Sequence, residues 1–126
     1  MRRFIGLMVL AILAVGCDAG PDGPGDLSGS VQTPSPSLGG VVFEVVGAGI
    51  EGFSGAGGTK VFWARQDNPI VYRVIVLGES GGDLKFSVAV QDRGGRLPRA
   101  TVVSAVDLNN RPLLPITEGY EVKFTR

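Results

Sequence analysis

The chain carries one cysteine and no histidine in its 126 residues. Cys17 stands directly behind Ala14-Val15-Gly16, at the end of an apolar run. A thiol there is open to covalent modification, and a lone cysteine forms no intramolecular disulfide. Without histidine the usual general base is missing, and beyond Cys17 there is no thiol nucleophile. Carboxylates remain, and a pair of them is the machinery of glycoside hydrolysis. No spacing here brings two of them to a shared cleft, so a small exported hydrolase is the least favoured reading and the chain is expected not to be an enzyme. Phe62, Trp63 and Tyr72 are the candidate binding residues, as an aromatic platform for a sugar ring. Phe62 and Trp63 are adjacent, so on a strand they face opposite sides. One is expected in the core and the other at least partly exposed.

Two further patterns offer ligand-type groups. Gly47-Ala48-Gly49-Ile50-Glu51-Gly52 matches G-x-G-x-x-G, and Asp67 follows at the distance of a ribose-binding acid. That motif needs a helix opening at the glycines. Phe53-Ser54-Gly55-Ala56-Gly57-Gly58 follows instead, so the expectation is a glycine turn and bulge at a sheet end, with no nucleotide. Asp107-Leu108-Asn109-Asn110 alternates oxygen ligands like half of a calcium loop, and Asp67-Asn68 and Glu79 with Asp83 offer similar groups. The twelve-residue spacing with its closing glutamate is absent. Asx side chains in turns commonly bond local backbone, so these read as solvated turns, and no metal or cofactor is assigned. The formal net charge is zero; without Arg2 and Arg3, 10 basic residues stand against 12 acidic ones, a net of −2. That balance gives no basic footprint for nucleic acid.

The N-terminus addresses the chain. Arg2 and Arg3 precede an uncharged stretch from Phe4 to Val15. A charged start, a short apolar run and small residues at its end make a secretory signal peptide. The run is too short for the ~30 Å hydrocarbon layer, which takes about 20 residues. Ala14-Val15-Gly16-Cys17 resembles the lipobox of bacterial lipoproteins, with Ala14 where leucine is commonest. The resemblance implies a diacylglyceryl group on the Cys17 sulfur, cleavage just before it, and residues 1–16 removed. Two or more acyl chains give stable anchoring where one does not. The alternative is ordinary cleavage after Ala14-Val15-Gly16, itself a small-x-small site. Asp18 resembles the inner-membrane retention signal of enteric bacteria, a rule that varies between bacterial groups, so the choice of inner or outer membrane stays open.

These residues need elements to position them. Residues 17–40 are built largely from Gly, Pro, Ser and Asp, with Leu27, Val31 and Leu38 the only sizeable apolar residues. Such a segment is expected to be a disordered, lipid-anchored linker, and a chain starting near Leu38 is expected to keep full stability. From Val41 the character changes. Residues 41–46, 59–64, 70–77, 84–90, 100–106 and 120–125 are runs rich in Val, Ile, Phe, Tyr and Thr, broken by Gly, Asn, Asp and Pro. Leu84, Phe86, Val88 and Val90 alternate with Lys85, Ser87, Ala89 and Gln91, and Tyr120, Val122 and Phe124 with Glu121, Lys123 and Thr125. Period two means strands with one wet face. The run 70–77 is apolar on both faces except at Arg73, which marks a central strand, and residues 50–53 offer a seventh, short strand. No window carries a helical stripe.

The fold class expected is therefore all-β, a sandwich of about seven short strands over residues 41–126. The rhythm that opens with Val41-Val42-Phe43-Glu44-Val45 and has Leu84-Lys85-Phe86-Ser87-Val88-Ala89-Val90 at its middle resembles small immunoglobulin-like and cohesin-like domains of exported bacterial proteins. The resemblance implies a shape only, since Trp63 stands alone and Cys17 lies outside the domain. The expected protein is a lipid-anchored envelope protein with a non-enzymatic binding or scaffolding domain. Its expected partners are the membrane, through Cys17, and an envelope protein or, through Trp63, a glycan.

Overall fold

The computed structural model describes residues 23–113 and 119–126. The expected signal segment, Cys17 and the first part of the expected linker lie outside those residues. Eight strands follow in order: β1 (Gly25–Gln32), β2 (Leu38–Val46), β3 (Ile50–Gly55), β4 (Lys60–Arg65), β5 (Val71–Leu77), β6 (Leu84–Val90), β7 (Arg99–Asp107) and β8 (Glu121–Thr125). They form two four-stranded antiparallel sheets, β3-β6-β1-β8 and β4-β5-β2-β7. The protein is an all-β sandwich, and no helix occurs among the described residues.

Each strand read from period two is present, with ends shifted by a residue or two at most places. The exception is β1. Gly25–Gln32 lies inside the segment expected to be a linker, yet it is an interior strand, paired with β6 from Gly25–Val90 to Val31–Leu84 and with β8 from Ser28–Thr125 to Gln32–Glu121. Leu38, Gly39 and Gly40, also assigned to the linker, open β2 and are buried. The domain therefore begins before Val41, and the strands number eight. The physical reason is local. Leu27, Gly29 and Val31 sit at period two and point inward, with Leu27 and Val31 3% and 0% exposed. Gly29 contributes no side chain, and the Phe86 ring lies over it, where any Cβ would collide with the ring. Three inward positions, one filled from the neighbouring strand, suffice to hold β1 against a two-sided ladder.

Between the sheets the core is wholly apolar, and no polar or charged residue is buried among the described residues. Phe86 sits at its centre, 5.2 Å from the Phe43 ring and 5.8 Å, edge-on, from Phe124. Val41, Phe43 and Val45 of β2 face Leu84, Phe86 and Val88 of β6 across the two layers, all 3% exposed or less. Burying each such side chain contributes about 1.5–3 kcal/mol.

Candidate binding surface

The three aromatic residues singled out for sugar stacking end up in three different places. Tyr72 is in the core, 2% exposed. Its hydroxyl donates to the Ile50 carbonyl at 3.1 Å and accepts from Arg65 at 3.3 Å, and the Arg65 guanidinium lies 5.5 Å from the ring centre. Trp63 points to the same side of β4 but at the sheet edge. Its ring sits 5.7 Å from Phe53 and 6.1 Å from Tyr72, closing the seam between β3 and β4. Phe62, one residue earlier, faces the opposite way and is 57% exposed. The expected opposition of Phe62 and Trp63 is observed, but neither lies in the core: Trp63, on the inward side of an edge strand, is still 40% exposed. The three rings make no shared platform, because Tyr72 is inside, Trp63 is packed at the rim and Phe62 lies on the other face of the sheet.

The other sequence patterns resolve into turns. Residues 47–49 turn from β2 into β3, Gly49 has φ 73°, and the β3–β6 register shifts between Ile50 and Gly52, a bulge at the sheet end. Asp107 spends one carboxylate oxygen on the backbone N–H groups of Asn109 and Arg111, at 2.8 and 2.9 Å, around Asn110 in the left-handed region. Asp83 accepts from the Thr33 N–H, and Asn68 from the Ile70 N–H. Among the described residues no three His, Cys, Asp or Glu side chains cluster as metal ligands.

What the alternation did not reveal is the chemistry of the outer faces. In β3-β6-β1-β8 the outward positions are polar: Ser28 and Ser30 on β1, Lys85 and Ser87 on β6, Glu121 and Lys123 on β8. In β4-β5-β2-β7 they are largely apolar. Cross-strand pairing sets them in rows. One row reads Lys60, Leu77, Gly40, Val106. The next reads Phe62, Ile75, Val42, Ser104. The third reads Ala64, Arg73, Glu44, Thr101, and the last Val71, Val46, Arg99. Phe62, Val46, Leu77 and Ile75 are 57%, 40%, 39% and 36% exposed. At its centre Arg73 and Glu44 form an ion pair at 2.5 Å, both roughly half in solvent. The outward apolar side chains of the first two rows adjoin one another beside that ion pair, a larger exposed apolar patch than scattered surface residues make.

The chain enters the sandwich at Gly23, whose carbonyl accepts from the Arg93 N–H and whose N–H donates to Asp92. Beside it a cleft of about 530 Å3 opens between residues 47–49 and 91–98, with Leu27, Val90 and Pro98 among its lining and Arg93, Arg96 and Arg99 around it. No family model, no curated protein and no solved structure matches the chain. The architecture is that of a β-sandwich with one polar and one apolar outer face.

Proposed function

We propose that this is an exported, lipid-anchored protein of a bacterial cell envelope, whose β-sandwich works without catalysis as a binding or scaffolding domain. The anchor is Cys17, after the lipobox-like Ala14-Val15-Gly16. The observation that carries the binding role is the apolar outer face of β4-β5-β2-β7, where Phe62, Ile75 and Val42 form one row, on a domain whose other outer face is polar. Such a face loses its cost in water only when another surface covers it. An envelope protein with a matching apolar face is the partner class that fits. The glycan reading, through Trp63, is supported only by that residue's 40% exposure; its ring is packed against Phe53 and Tyr72, with no second exposed ring beside it to complete a platform.

Two measurements test the proposal. Cys17→Ser should abolish incorporation of labelled fatty acid and move the exported protein out of the membrane fraction; equal detergent partitioning of both proteins refutes the anchor. A photo-cross-linker at Phe62 should capture protein in the native envelope, and one at Ser87, on the polar face, should not. Equal capture at the two positions refutes the assignment of the face.

A further inference from the structure

We infer that the apolar face of β4-β5-β2-β7 is covered by a second copy of this chain, in a parallel dimer whose two-fold axis runs along the strands between β5 and β2. This rests on the binding role proposed for that face and names its occupant.

The argument starts from the rows. β5 and β2 are the two central strands of this sheet, so an axis between them passes through the middle of the face. Turning the face over this axis keeps every row at its own height and exchanges β5 with β2 and β4 with β7. Each pair of opposed positions then follows from the register. Arg73 of one copy meets Glu44 of the other, twice. Ile75 meets Val42, and Val71 meets Val46. Phe62, the most exposed large apolar side chain, meets Ser104, among the smallest outward side chains on β7. Leu77 meets the row position of Gly40, which Leu77 and Val106 of the same copy already cover, to 2.9 and 3.2 Å of where a Cβ would stand. Phe62 opposite Ser104 sets large against small, and Arg73 opposite Glu44 sets plus against minus, the self-complementarity that an isologous interface requires.

The area agrees. Four strands about 4.8 Å apart and four outward rows about 6.8 Å apart cover roughly 500 Å2 per copy, about 1,000 Å2 in total, the lower limit for a specific association. The dimer in dilute solution is therefore weak. Face-to-face sheets pack within about 30° of parallel, which the two-fold permits.

The anchor selects this symmetry over others. Gly23, the first described residue, is pinned to the Asp92–Arg93 turn at one end of the sandwich. Six residue steps lie between Gly23 and Cys17, a span of at most about 20 Å. An axis along the strands puts both exits at the same end, so both anchors enter one membrane. An antiparallel pairing would direct them to opposite sides. Confinement to one surface also raises the effective concentration that a small interface needs.

The test exploits the ion pair. Take the processed chain, residues 17–126, with Cys17→Ser, and measure its oligomeric state by sedimentation from about 10 μM to 1 mM. The wild-type face should show a concentration-dependent dimer. Arg73→Glu alone, or Glu44→Arg alone, should weaken it at least tenfold, because four like charges then meet at the axis. Mixing the two single variants should restore association, as a heterodimer, because the two acids at the centre of one chain's face then meet the two bases of the other's. The intramolecular pair stays broken in both chains, so rescue can come only from contact between copies. A pair this exposed contributes little to folding, and equal thermal melts of the variants confirm that they remain folded. A wild-type chain that is monomeric at 1 mM, single variants that dimerise as well as wild type, or a mixture that stays monomeric each overturn the inference. Lipid labelling of Cys17 is scored separately: a labelled protein with no dimer sinks this inference alone, and an unlabelled one sinks the anchor. Capture of a different protein at Phe62 without homodimer leaves the binding face standing and rejects the second copy.

Discussion

Starting the chain at Leu38 instead of Asp18 removes β1, and the consequence can be worked from its neighbours. Leu27 and Val31 are 3% and 0% exposed, and their burial contributes about 1.5–3 kcal/mol each. β8 has β1 as its only hydrogen-bonded neighbour in the sheet, so Phe124, 8% exposed and edge-on to Phe86, loses its seat as well. A displaced buried phenylalanine costs about 3–5 kcal/mol. The total reaches at least about 6 kcal/mol, within the ~5–15 kcal/mol that holds a domain together. The chain from residue 38 is therefore expected to be unfolded or loosely collapsed at 25 °C, while residues 18–126 melt cooperatively. Urea melts followed by Trp63 fluorescence, which reports the packed seam with Phe53 and Tyr72, and by near-ultraviolet circular dichroism compare the two. Midpoints that agree to within about 1 kcal/mol, the scale of an ordinary point change, would mean that β1 contributes nothing and that the ladder assigned to it does not form.

Four substitutions probe the rest of the architecture by denaturant melts. Phe86→Ala should cost about 3–5 kcal/mol, and Ser87→Ala, one residue on and facing out, within about 0.5 kcal/mol; similar losses would contradict the alternation in β6. Gly29→Ala should cost about 1–3 kcal/mol as an overpacking change, because its Cβ occupies the space of the Phe86 ring, and a stabilised variant would refute that contact. Tyr72→Phe should cost about 0.5–1.5 kcal/mol by leaving the Ile50 carbonyl without the buried hydroxyl; an unchanged midpoint would show that water replaces it.

The strands that could be read from the chain are those in which apolar and polar residues alternate without interruption. Leu84–Val90 is matched residue for residue, because every inward position carries a large apolar side chain. β1 escaped the same reading because its inward set is Leu27, Gly29 and Val31, diluted by outward Ser28 and Ser30 and flanked by prolines. Averaged composition reports the dilution, and the Phe86 ring that completes the row arrives from a strand more than fifty residues away. The apolar outer face is hard to read from the chain for a related reason. The run apolar on both sides at Val71–Leu77 reads as a central strand, and β5 is central in its sheet, but its outward Ile75 and Leu77 face solvent. Sequence alternation tells two faces apart; it does not say which of them has a neighbour. For the aromatics, adjacency separated Phe62 from Trp63, but nothing in the spacing placed Tyr72 in the core beside Trp63.

The strand nearest the N-terminus also decides how the domain meets a mechanical load. Tension applied along β1 from its Gly25 end loads both of its edges. Antiparallel hydrogen bonds run perpendicular to the strands, and β1 is bonded along both of its edges, to β6 and to β8. A pull in that direction shears the two ladders at once instead of unzipping one bond at a time. An edge strand in the same position would peel. With a doubly laddered strand first among the described strands, a tug on its start is shared by both ladders before any single bond carries it alone.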